Sequence, residues 1–393
     1  MTNAKQTDPA QAAGGVADTG GAGGDSVAVP AALVRVELAE RGYDIAIGPG
    51  VLTQAGDWAR HRLKATHAFL ITDANVAGLY AAPVAESLRQ AGLRVDSLTL
   101  PAGETEKTPA RVFECWEALV RAQADRKTLV VAVGGGVIGD LAGFVAATYT
   151  RGLRFLQIPT TLLAHVDSSV GGKVGVNLPD AKNMVGAFWQ PSGVLIDTQT
   201  LDTLPSREYA AGLAEVVKYG VILDPSFFEL LETNIDSLRA RDPELLRRVI
   251  ARCCQLKADV VRQDEREETG LRAVLNYGHT FCHAIETVTR YDRYLHGEAV
   301  SIGMVCASRL AERLGRVPAE LTDRQRRLLA ALDLPIILPP LHTADLIAAM
   351  QRDKKVEHGR LRFVLPSRLG HVELVGGIDD RLVADVLRTE GAT

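Results

Sequence analysis

Two short segments of the sequence combine residue types and spacings that suit the binding of a ligand or a metal ion. The first, Gly134-Gly-Gly-Val-Ile-Gly-Asp140, follows an apolar run at residues 128–133 and leads into a helix-like stretch. A strand, a glycine turn and a helix in this order bring backbone N–H groups and the positive end of a helix dipole to a diphosphate. Gly134, Gly136 and Gly139 fit the G-x-G-x-x-G pattern, which is typical of dinucleotide binding.

One part of a classical dinucleotide site is missing from this segment. Such a site carries an acidic residue about 20 positions further on, where it binds a ribose hydroxyl. Here residues 157–161 read Gln-Ile-Pro-Thr-Thr and contain no acid. We therefore interpret the loop as a dinucleotide site of non-classical layout. The alternative is a glycine-rich tight turn that binds nothing.

The second segment is a histidine cluster, with three of the nine histidines lying between positions 279 and 296. His279 and His283 are four residues apart, which places them on one face of a helix. This spacing alone favours the pair as joint ligands of a divalent metal. Thr280 occupies the position at which zinc peptidases carry their catalytic glutamate, so a metalloprotease is disfavoured.

Basic residues beside glycine turns or predicted helix ends form a third group. Each of them, taken singly, is more often a solvated surface charge. The segment Val166-Asp-Ser-Ser-Val-Gly-Gly-Lys173 is the exception, because small, hydroxylic and glycine-rich chain ending in lysine suits close approach to a phosphate. The group consists of Lys173, Lys182, Lys218, Lys257, Arg272, Lys354 and Lys355.

The composition excludes several classes of protein. With 47% hydrophobic and 23% charged residues and a net charge of −4, the 393-residue chain has no bulk attraction for nucleic acid or acidic membranes. Five cysteines without a CxxC pair indicate reduced thiols. The N-terminus lacks the layout of a signal peptide, and no apolar stretch reaches membrane-spanning length. We expect a cytoplasmic protein.

Two types of element must position these groups. Short apolar runs alternate with amphipathic stretches over residues 30–205, which predicts an α/β domain with a mostly parallel sheet that carries the dinucleotide-binding loop. Successive helical patterns over residues 206–393, among them residues 225–240 and 274–287, predict an all-α domain for metal and substrate. Residues 1–29, rich in Ala, Gly, Asp and Thr, predict a disordered tail.

In their order along the chain, these motifs resemble the 3-dehydroquinate synthases of the sugar phosphate cyclase superfamily. The resemblance covers about residues 41–365. The matching stretches include Pro101-Ala-Gly-Glu-Thr-Glu-Lys-Thr108, the glycine loop, Ile158-Pro-Thr-Thr-Leu-Leu163, residues 166–173, Lys182-Asn183, residues 214–218, residues 271–283 and Leu295-His-Gly-Glu-Ala-Val300.

The resemblance implies a fold like that of dehydroquinate synthases and glycerol dehydrogenases, and a lyase of the shikimate pathway. It would convert 3-deoxy-D-arabino-heptulosonate 7-phosphate to 3-dehydroquinate and phosphate. The expected steps are transient oxidation by NAD⁺, phosphate elimination, re-reduction and an intramolecular aldol closure. One Zn²⁺ or Co²⁺ per subunit is expected beside the NAD⁺.

The resemblance also implies roles for individual residues. The metal ligands become Glu215, His279 and His296, which replaces the pair suggested by spacing and moves His283 to the substrate. The remaining catalytic groups are Lys173, Lys218, Arg272, Asn276 and Asp167. The expected substrate-binding residues are Asn183, Lys257, Lys354 and Arg151, the last reaching the neighbouring site of a homodimer. The expected cofactor-binding residues are Asp73, Asn75, Gly103, Glu104, Lys107, Gly135, Gly136, Val137, Gly139, Asp140, Thr160, Thr161, Lys173, Lys182 and Thr203.

Two departures and three alternatives accompany this interpretation. Cys282 stands where the family usually has glycine, and the loop at residues 264–270 is one residue longer than is common. The alternatives are another sugar phosphate cyclase, a metal-dependent polyol dehydrogenase and a protein without catalytic activity. The retained Lys257, Arg272 and Asn276 suit a substrate with both a carboxylate and a phosphate, which favours the quinate product.

Overall fold

Seven strands form one sheet in the order β1-β2-β9-β6-β5-β3-β4 in the computed structural model, which describes residues 32–179, 181–352 and 361–393. Only the β1–β2 pair is antiparallel, so the predicted, mostly parallel sheet is confirmed. The strands are β1 Ala32–Val36, β2 Tyr43–Gly48, β3 His67–Asp73, β4 Arg94–Leu100, β5 Leu129–Gly134, β6 Arg154–Pro159 and β9 Gly193–Asp197.

Helices cover both faces of this sheet, so its inner strands read as apolar runs instead of alternating patterns. Along β5, Val131 and Val133 pack on one face, and Val130 and Ala132 on the other, because successive strand side chains point to opposite sides. The helices of this region are α1 Ala55–Asp57, α2 Ala82–Gln90, α3 Pro109–Arg121 and α4 Gly136–Thr148.

A hairpin that the sequence analysis did not predict packs over α4. It joins β7 Lys173–Leu178 and β8 Ala181–Phe188 in a separate two-stranded sheet. Gly175 and Gly186 face each other across the strands, and a Cβ on Gly186 would lie 2.3 Å from the Val174 carbonyl oxygen. The small residues that allow this close pairing also hide the strand signal in the sequence.

The second half of the described chain is mostly helical, as predicted. Its elements share one large core with β1 and β2. A short hairpin of β10 and β11 interrupts the helices and was not predicted. The elements are α5 Ser206–Leu223, α6 Pro225–Thr233, α7 Ile235–Arg239, α8 Pro243–Gln263, α9 His279–Val288, α10 His296–Arg313, α11 Ala319–Ala331, α12 Thr343–Arg352, β10 Arg362–Arg368, β11 His371–Gly376 and α13 Asp380–Thr389.

Two helix boundaries differ from the sequence prediction. The helix expected over residues 225–240 is divided at Asn234, which ends α6 with non-helical backbone angles. The helix expected over residues 274–287 begins only at His279, because Gly278 has φ +79°. A Cβ at Gly278 would lie 2.7 Å from the Met304 amide nitrogen, so α10 packs directly on this glycine.

None of the helices in the described part of the chain has the length and apolar character needed to cross a membrane. The tail predicted at residues 1–29 lies outside the described residues.

Candidate functional site

A cavity of about 1280 Å³ lies at the carboxyl edge of the parallel sheet. Strands β3, β5 and β6 all end there, at Asp73, Gly134 and Pro159. Strand β4 lies on one side of β3, and the next strand in the chain, β5, lies on the other side. This reversal of the strand order creates a topological switch point. In open α/β sheets, ligands bind at the crevice formed where the strand order reverses.

Most of the residues singled out in the sequence line this one cavity. Glu215 and Gly139 lie behind its wall, Arg151 is exposed elsewhere on the surface, and Lys354 falls outside the described residues. The lining includes Asp73, Asn75, Gly103, Glu104, Lys107, Gly135, Gly136, Val137, Asp140, Thr160, Thr161, Asp167, Lys173, Lys182, Asn183, Thr203, Lys218, Lys257, Arg272, Asn276, His279, His283 and His296.

The glycine loop presents the start of α4 to the cavity. Gly135 precedes the helix, and no side chain caps the first N–H groups of α4. Uncapped amides at a helix N-terminus form a ready anion site. A Cβ on Gly139 would lie 2.9 Å from Gln157 Oε1, so this glycine allows the helix to pack closely on β6.

A lysine ties the loop to the β7–β8 hairpin. The Nζ of Lys107, a buried side chain, donates to Asp140 Oδ2 at 2.5 Å and to Asn183 Oδ1 at 2.6 Å. Burial raises the pKa of Asp140 above its usual value, although Lys107 opposes the shift. The glycine loop and the hairpin therefore share one buried cation.

Glu215 of α5, His279 of α9 and His296 of α10 form a cluster whose ligand atoms lie within 4.8 Å of one another. Glu215 Oε1 is 3.6 Å from His279 Nε2 and 3.8 Å from His296 Nε2. Atoms bound at about 2.1 Å to one tetrahedral ion would be about 3.4 Å apart, so the spacing suits a divalent metal. The ring centroid of His283 is 5.7 Å from that of His279.

The second nitrogen of each histidine in this cluster has its own partner. His279 Nδ1 is 3.1 Å from the Tyr277 carbonyl oxygen, and His296 Nδ1 is 3.1 Å from Glu286 Oε1. Because a carbonyl oxygen can only accept, Nδ1 of His279 carries the proton and its Nε2 carries the lone pair. The rings thus turn Nε2 towards Glu215, as metal ligands do.

Glu286 was missed by the sequence analysis, although it could have been found. It lies seven residues after His279, two helical turns along the same face of α9. Burial opposes its ionisation, but His296 and Lys182 outweigh that effect and hold the pKa of the carboxyl below its usual range.

A second, mostly buried cluster centres on Asp167, beside the cluster of Glu215, His279 and His296. Its Oδ1 accepts from Tyr219 Oη at 2.8 Å and lies 2.9 Å from Lys257 Nζ and 3.9 Å from Lys218 Nζ. Burial opposes ionisation of Asp167, but the two lysines hold the pKa of its carboxyl well below the usual range. Lys218 also contacts Glu215, which links the two clusters. Tyr219 was not predicted, because a tyrosine inside a helix carries no sequence signal.

Lys173 and Arg272 contribute further positive charge on the same wall. Burial, reinforced by Arg272, lowers the pKa of Lys173. Glu267, from the loop noted as unusually long, contacts Lys173 and lies 4.0 Å from Arg272 Nε. Two buried cations (Lys257 and Arg272) and the exposed Lys173 therefore converge where a polyanionic ligand would lie.

Comparison with known proteins agrees with this geometry. The family model for the N-terminal part of 3-dehydroquinate synthase matches residues 97–211, and that for the C-terminal part matches residues 212–356.

The chain belongs to the 3-dehydroquinate synthase family. The 3-dehydroquinate synthase of Rhodopirellula baltica is 49% identical over 365 residues, covering 91% of this chain and 97% of that relative.

Solved structures of related cyclases share the fold. A 2-deoxy-scyllo-inosose synthase complexed with carbaglucose-6-phosphate, NAD⁺ and Co²⁺ superposes with a TM-score of 0.83 at 28% identity, covering 91% of this chain and 100% of that one. A 2-epi-5-epi-valiolone synthase from Streptomyces hygroscopicus with NAD⁺ and Zn²⁺ bound gives 0.81 at 30% identity, covering 88% and 96%. These neighbours have the same α/β region followed by helices.

Proposed function

We infer that this chain is a 3-dehydroquinate synthase that converts 3-deoxy-D-arabino-heptulosonate 7-phosphate to 3-dehydroquinate and phosphate. The observation that carries the inference is one cavity that places an anion-binding glycine loop, a three-ligand cluster and a group of buried cations together. Relatives that are about half identical along nine tenths of the chain bear this name. The proposed division of labour assigns the cofactor to residues 30–205, and the metal and most substrate contacts to residues 206–393, with Asp167, Lys173 and Asn183 reaching the substrate from the first region.

The residues around the glycine loop fit NAD⁺. The N-terminus of α4 would receive the diphosphate, and Thr160, Thr161, Lys107 and Lys182 supply hydrogen-bond donors around it. No acid lies within residues 157–161, so we assign the sugar hydroxyls to Asp73, at the end of β3. Asn75, Gly103, Glu104, Val137, Gly139, Asp140 and Thr203 complete the proposed cofactor site.

Glu215, His279 and His296 would bind the divalent metal, Zn²⁺ or Co²⁺. Their separations and the orientation of their nitrogens fit such an ion. When bound, NAD⁺ would accept and return a hydride, and the metal would polarise the substrate's hydroxyl oxygens. Lys218, which contacts the far oxygen of Glu215, fixes that carboxylate from behind.

The cations on this wall would hold the two anionic ends of the substrate. Lys173, Lys257 and Arg272, with Asn183 and Asn276, line the wall where phosphate and carboxylate must lie, and Lys354 would join them. Burial lowers the pKa of Lys257, so an arriving anion stabilises its charged form. Asp167 would orient substrate hydroxyls, and His283 would move protons at the reacting carbon.

Arg151 would act in the neighbouring site of a homodimer. It is exposed, and it lies in a turn where Thr150, Arg151 and Gly152 all have positive φ, at 48°, 70° and 126°. Two successive non-glycine residues in this conformation are strained, and such strain often accompanies a functional contact. We propose that this turn presents Arg151 to a partner subunit. Five free, buried cysteines fit a location in the reducing cytoplasm.

One assay tests the proposed reaction against its alternatives. Purified protein is incubated with the heptulosonate phosphate, catalytic NAD⁺ and Co²⁺, while phosphate and NADH are recorded. We expect phosphate release without net NADH, since the hydride returns to the substrate. Stoichiometric NADH would identify a dehydrogenase. Phosphate release only from another sugar phosphate would identify a sister cyclase of the kind seen in the related structures.

A further inference from the structure

Glu286 stands between the metal cluster and the β7–β8 hairpin. Its Oε1 lies 3.1 Å from His296 Nδ1 and 3.1 Å from Lys182 Nζ. The side chain is 3% exposed, and its Oε2 has no hydrogen-bond partner among the described residues. Burying a carboxylate costs free energy unless the group is paired. The two contacts at Oε1 therefore stabilise Glu286 in its buried position.

The contact with His296 defines which nitrogen of that ring can bind a metal. A carboxylate accepts hydrogen bonds, so it draws the proton to Nδ1 and leaves the lone pair on Nε2. His296 Nε2 is the atom nearest Glu215, at 3.8 Å from its Oε1. Glu286 also prevents rotation of a ring that is 28% exposed and begins its helix.

The contact with Lys182 connects this arrangement to the cofactor side. Lys182 belongs to β8, and the next residue, Asn183, accepts from Lys107, which also binds Asp140 of the glycine loop. Two sets of polar contacts, joined by the backbone between Lys182 and Asn183, thus connect His296 with Asp140 of α4. Lys182 places its ammonium group against the Glu286 carboxylate and so holds that side chain beside His296.

We propose that Glu286 is a positioning residue that fixes His296 for metal binding, and that Lys182 of the cofactor-side hairpin holds Glu286 in place. The proposal rests on the proposed metal ligands Glu215, His279 and His296. It predicts that substitutions at Glu286 and at Lys182 both loosen the metal, although neither residue belongs to the proposed ligand set.

Metal retention tests the proposal without recourse to activity. Full-length protein is loaded with Co²⁺, and its visible spectrum and the rate of Co²⁺ transfer to a chelator are recorded. Glu286→Gln keeps the shape but removes the charge, and partners of metal-bound histidines typically contribute 10- to 100-fold to affinity. We expect Co²⁺ loss about 10- to 100-fold faster than in the unmodified protein, with an altered Co²⁺ spectrum.

Glu390→Gln is the matched control. Glu390 is another buried carboxylate with two cationic partners, Arg309 Nε at 2.8 Å and Arg326 Nη1 at 2.6 Å, and it does not line the cavity. Its substitution should lower the melting temperature but leave the Co²⁺ spectrum and release rate unchanged. If Glu286→Gln fails to fold, Glu286→Asp, which keeps the charge but shortens the reach, takes its place with the same expectation.

Lys182→Met tests the second half of the proposal. We expect faster Co²⁺ release, by a smaller factor than in Glu286→Gln, and no additional effect in the double variant, because both act through one contact. Glu286 variants that match the control in rate and spectrum would overturn the role of Glu286, whereas additive effects would overturn that of Lys182. If the unmodified protein itself retains no Co²⁺, the proposed metal site fails, and this proposal fails with it.

Discussion

The two halves of the cavity present different groups to a ligand, backbone on the α/β side and charged side chains on the helical side. On the α/β side, the glycine loop offers backbone: Gly135 and Gly136 open the helix, and no side chain caps it. On the helical side, long charged side chains are buried in the core: Glu215 is 1% exposed, and Lys218 is 2% exposed. The anion site at the start of α4 therefore depends on the absence of side-chain atoms. The helical side depends on charges that are stable only in each other's presence.

This difference predicts how each side fails when it is altered. A change in a buried charge should reduce function and stability together, because it leaves a partner unpaired. A change in the glycine loop should reduce cofactor affinity and little else. The following substitutions test that contrast.

The largest effect is expected at Glu215. Glu215→Gln removes the anionic ligand of the proposed metal site, and a metal can supply several kcal/mol of transition-state stabilisation, so turnover should fall about 10³-fold or more. Metal content measured by elemental analysis should fall with it. His283→Ala is the comparison, since it should retain the metal and lose only rate. Loss of the metal in His283→Ala would instead restore the ligand pair suggested by the spacing of the histidines.

The next effect is expected at Lys257. Lys257→Met leaves Asp167 without its nearest cation, which lies 2.9 Å from the carboxylate. Breaking a buried ion pair on one side costs about 3 kcal/mol or more, measurable by urea unfolding at neutral pH. The exposed pair of Arg239 and Asp333, 3.0 Å apart, is the contrast: Arg239→Met should cost less than about 1 kcal/mol. Equal losses in the two variants would contradict the view that burial makes the charges interdependent.

The sequence revealed a large part of this site, for identifiable reasons. Glycines after an apolar run and histidines at helical spacing are local patterns, and local patterns survive in a linear sequence. The joining of Glu215 to His279 and His296 brings together three helices, so spacing alone suggested His283 as the second ligand. The family resemblance supplied the three proposed ligands, and the fold brings their ligand atoms within 4.8 Å of one another.

What the sequence did not show was produced by tertiary contacts. Tyr219 contacts Asp167, and Glu286 contacts Lys182, and both partners are far away in the chain. Only His296, the other partner of Glu286, is near in the sequence. The sequence of the β7–β8 hairpin shows little alternation of apolar and polar residues, because glycines face each other across its strands. Cys282, which stands where the family usually has glycine, is fully buried, and its Sγ lies 3.8 Å from His296 Nδ1. Gly303 of α10 leaves room beside it. No local pattern encodes such an accommodation.

A pH effect of intermediate size is expected on the α/β side, at His165. Burial lowers the pKa of His165 to about 4, while an unfolded histidine titrates near 6.5. The unfolded state therefore binds the proton first, and stability present above about pH 6.5 is lost as the pH falls towards 4. Between pH 8 and pH 5 this histidine should account for a loss of about 2 kcal/mol.

Urea unfolding at several pH values measures this effect. His165→Gln should flatten the decline between pH 6.5 and 4. His61→Gln, at a side chain that is 76% exposed, should leave the decline unchanged. A slope that persists in His165→Gln would assign the pH sensitivity to other groups.

The smallest effect, and the sharpest test of the contrast, is expected at Gly136. Its φ is helical, so Gly136→Ala adds a Cβ without backbone strain, and better helix propensity offsets the close contact with Ser168 Oγ at 3.0 Å. We expect stability within about 1 kcal/mol of the unmodified protein. The affinity for NAD⁺, measured by calorimetry, should fall about tenfold, since the new atom lies on the wall that a diphosphate must approach.

Gly56→Ala gives the opposite result on the same side of the molecule. A Cβ there would lie 2.2 Å from the Ser87 carbonyl oxygen, so backbone must move and stability should fall by about 1–3 kcal/mol. Gly56 does not line the cavity, and the affinity for NAD⁺ should be retained. The two variants together distinguish a glycine that leaves room for a ligand from a glycine that leaves room for the packing of the protein itself. If Gly136→Ala lost stability but kept its affinity, the glycine loop would be the ligand-free tight turn that remained its alternative in the sequence.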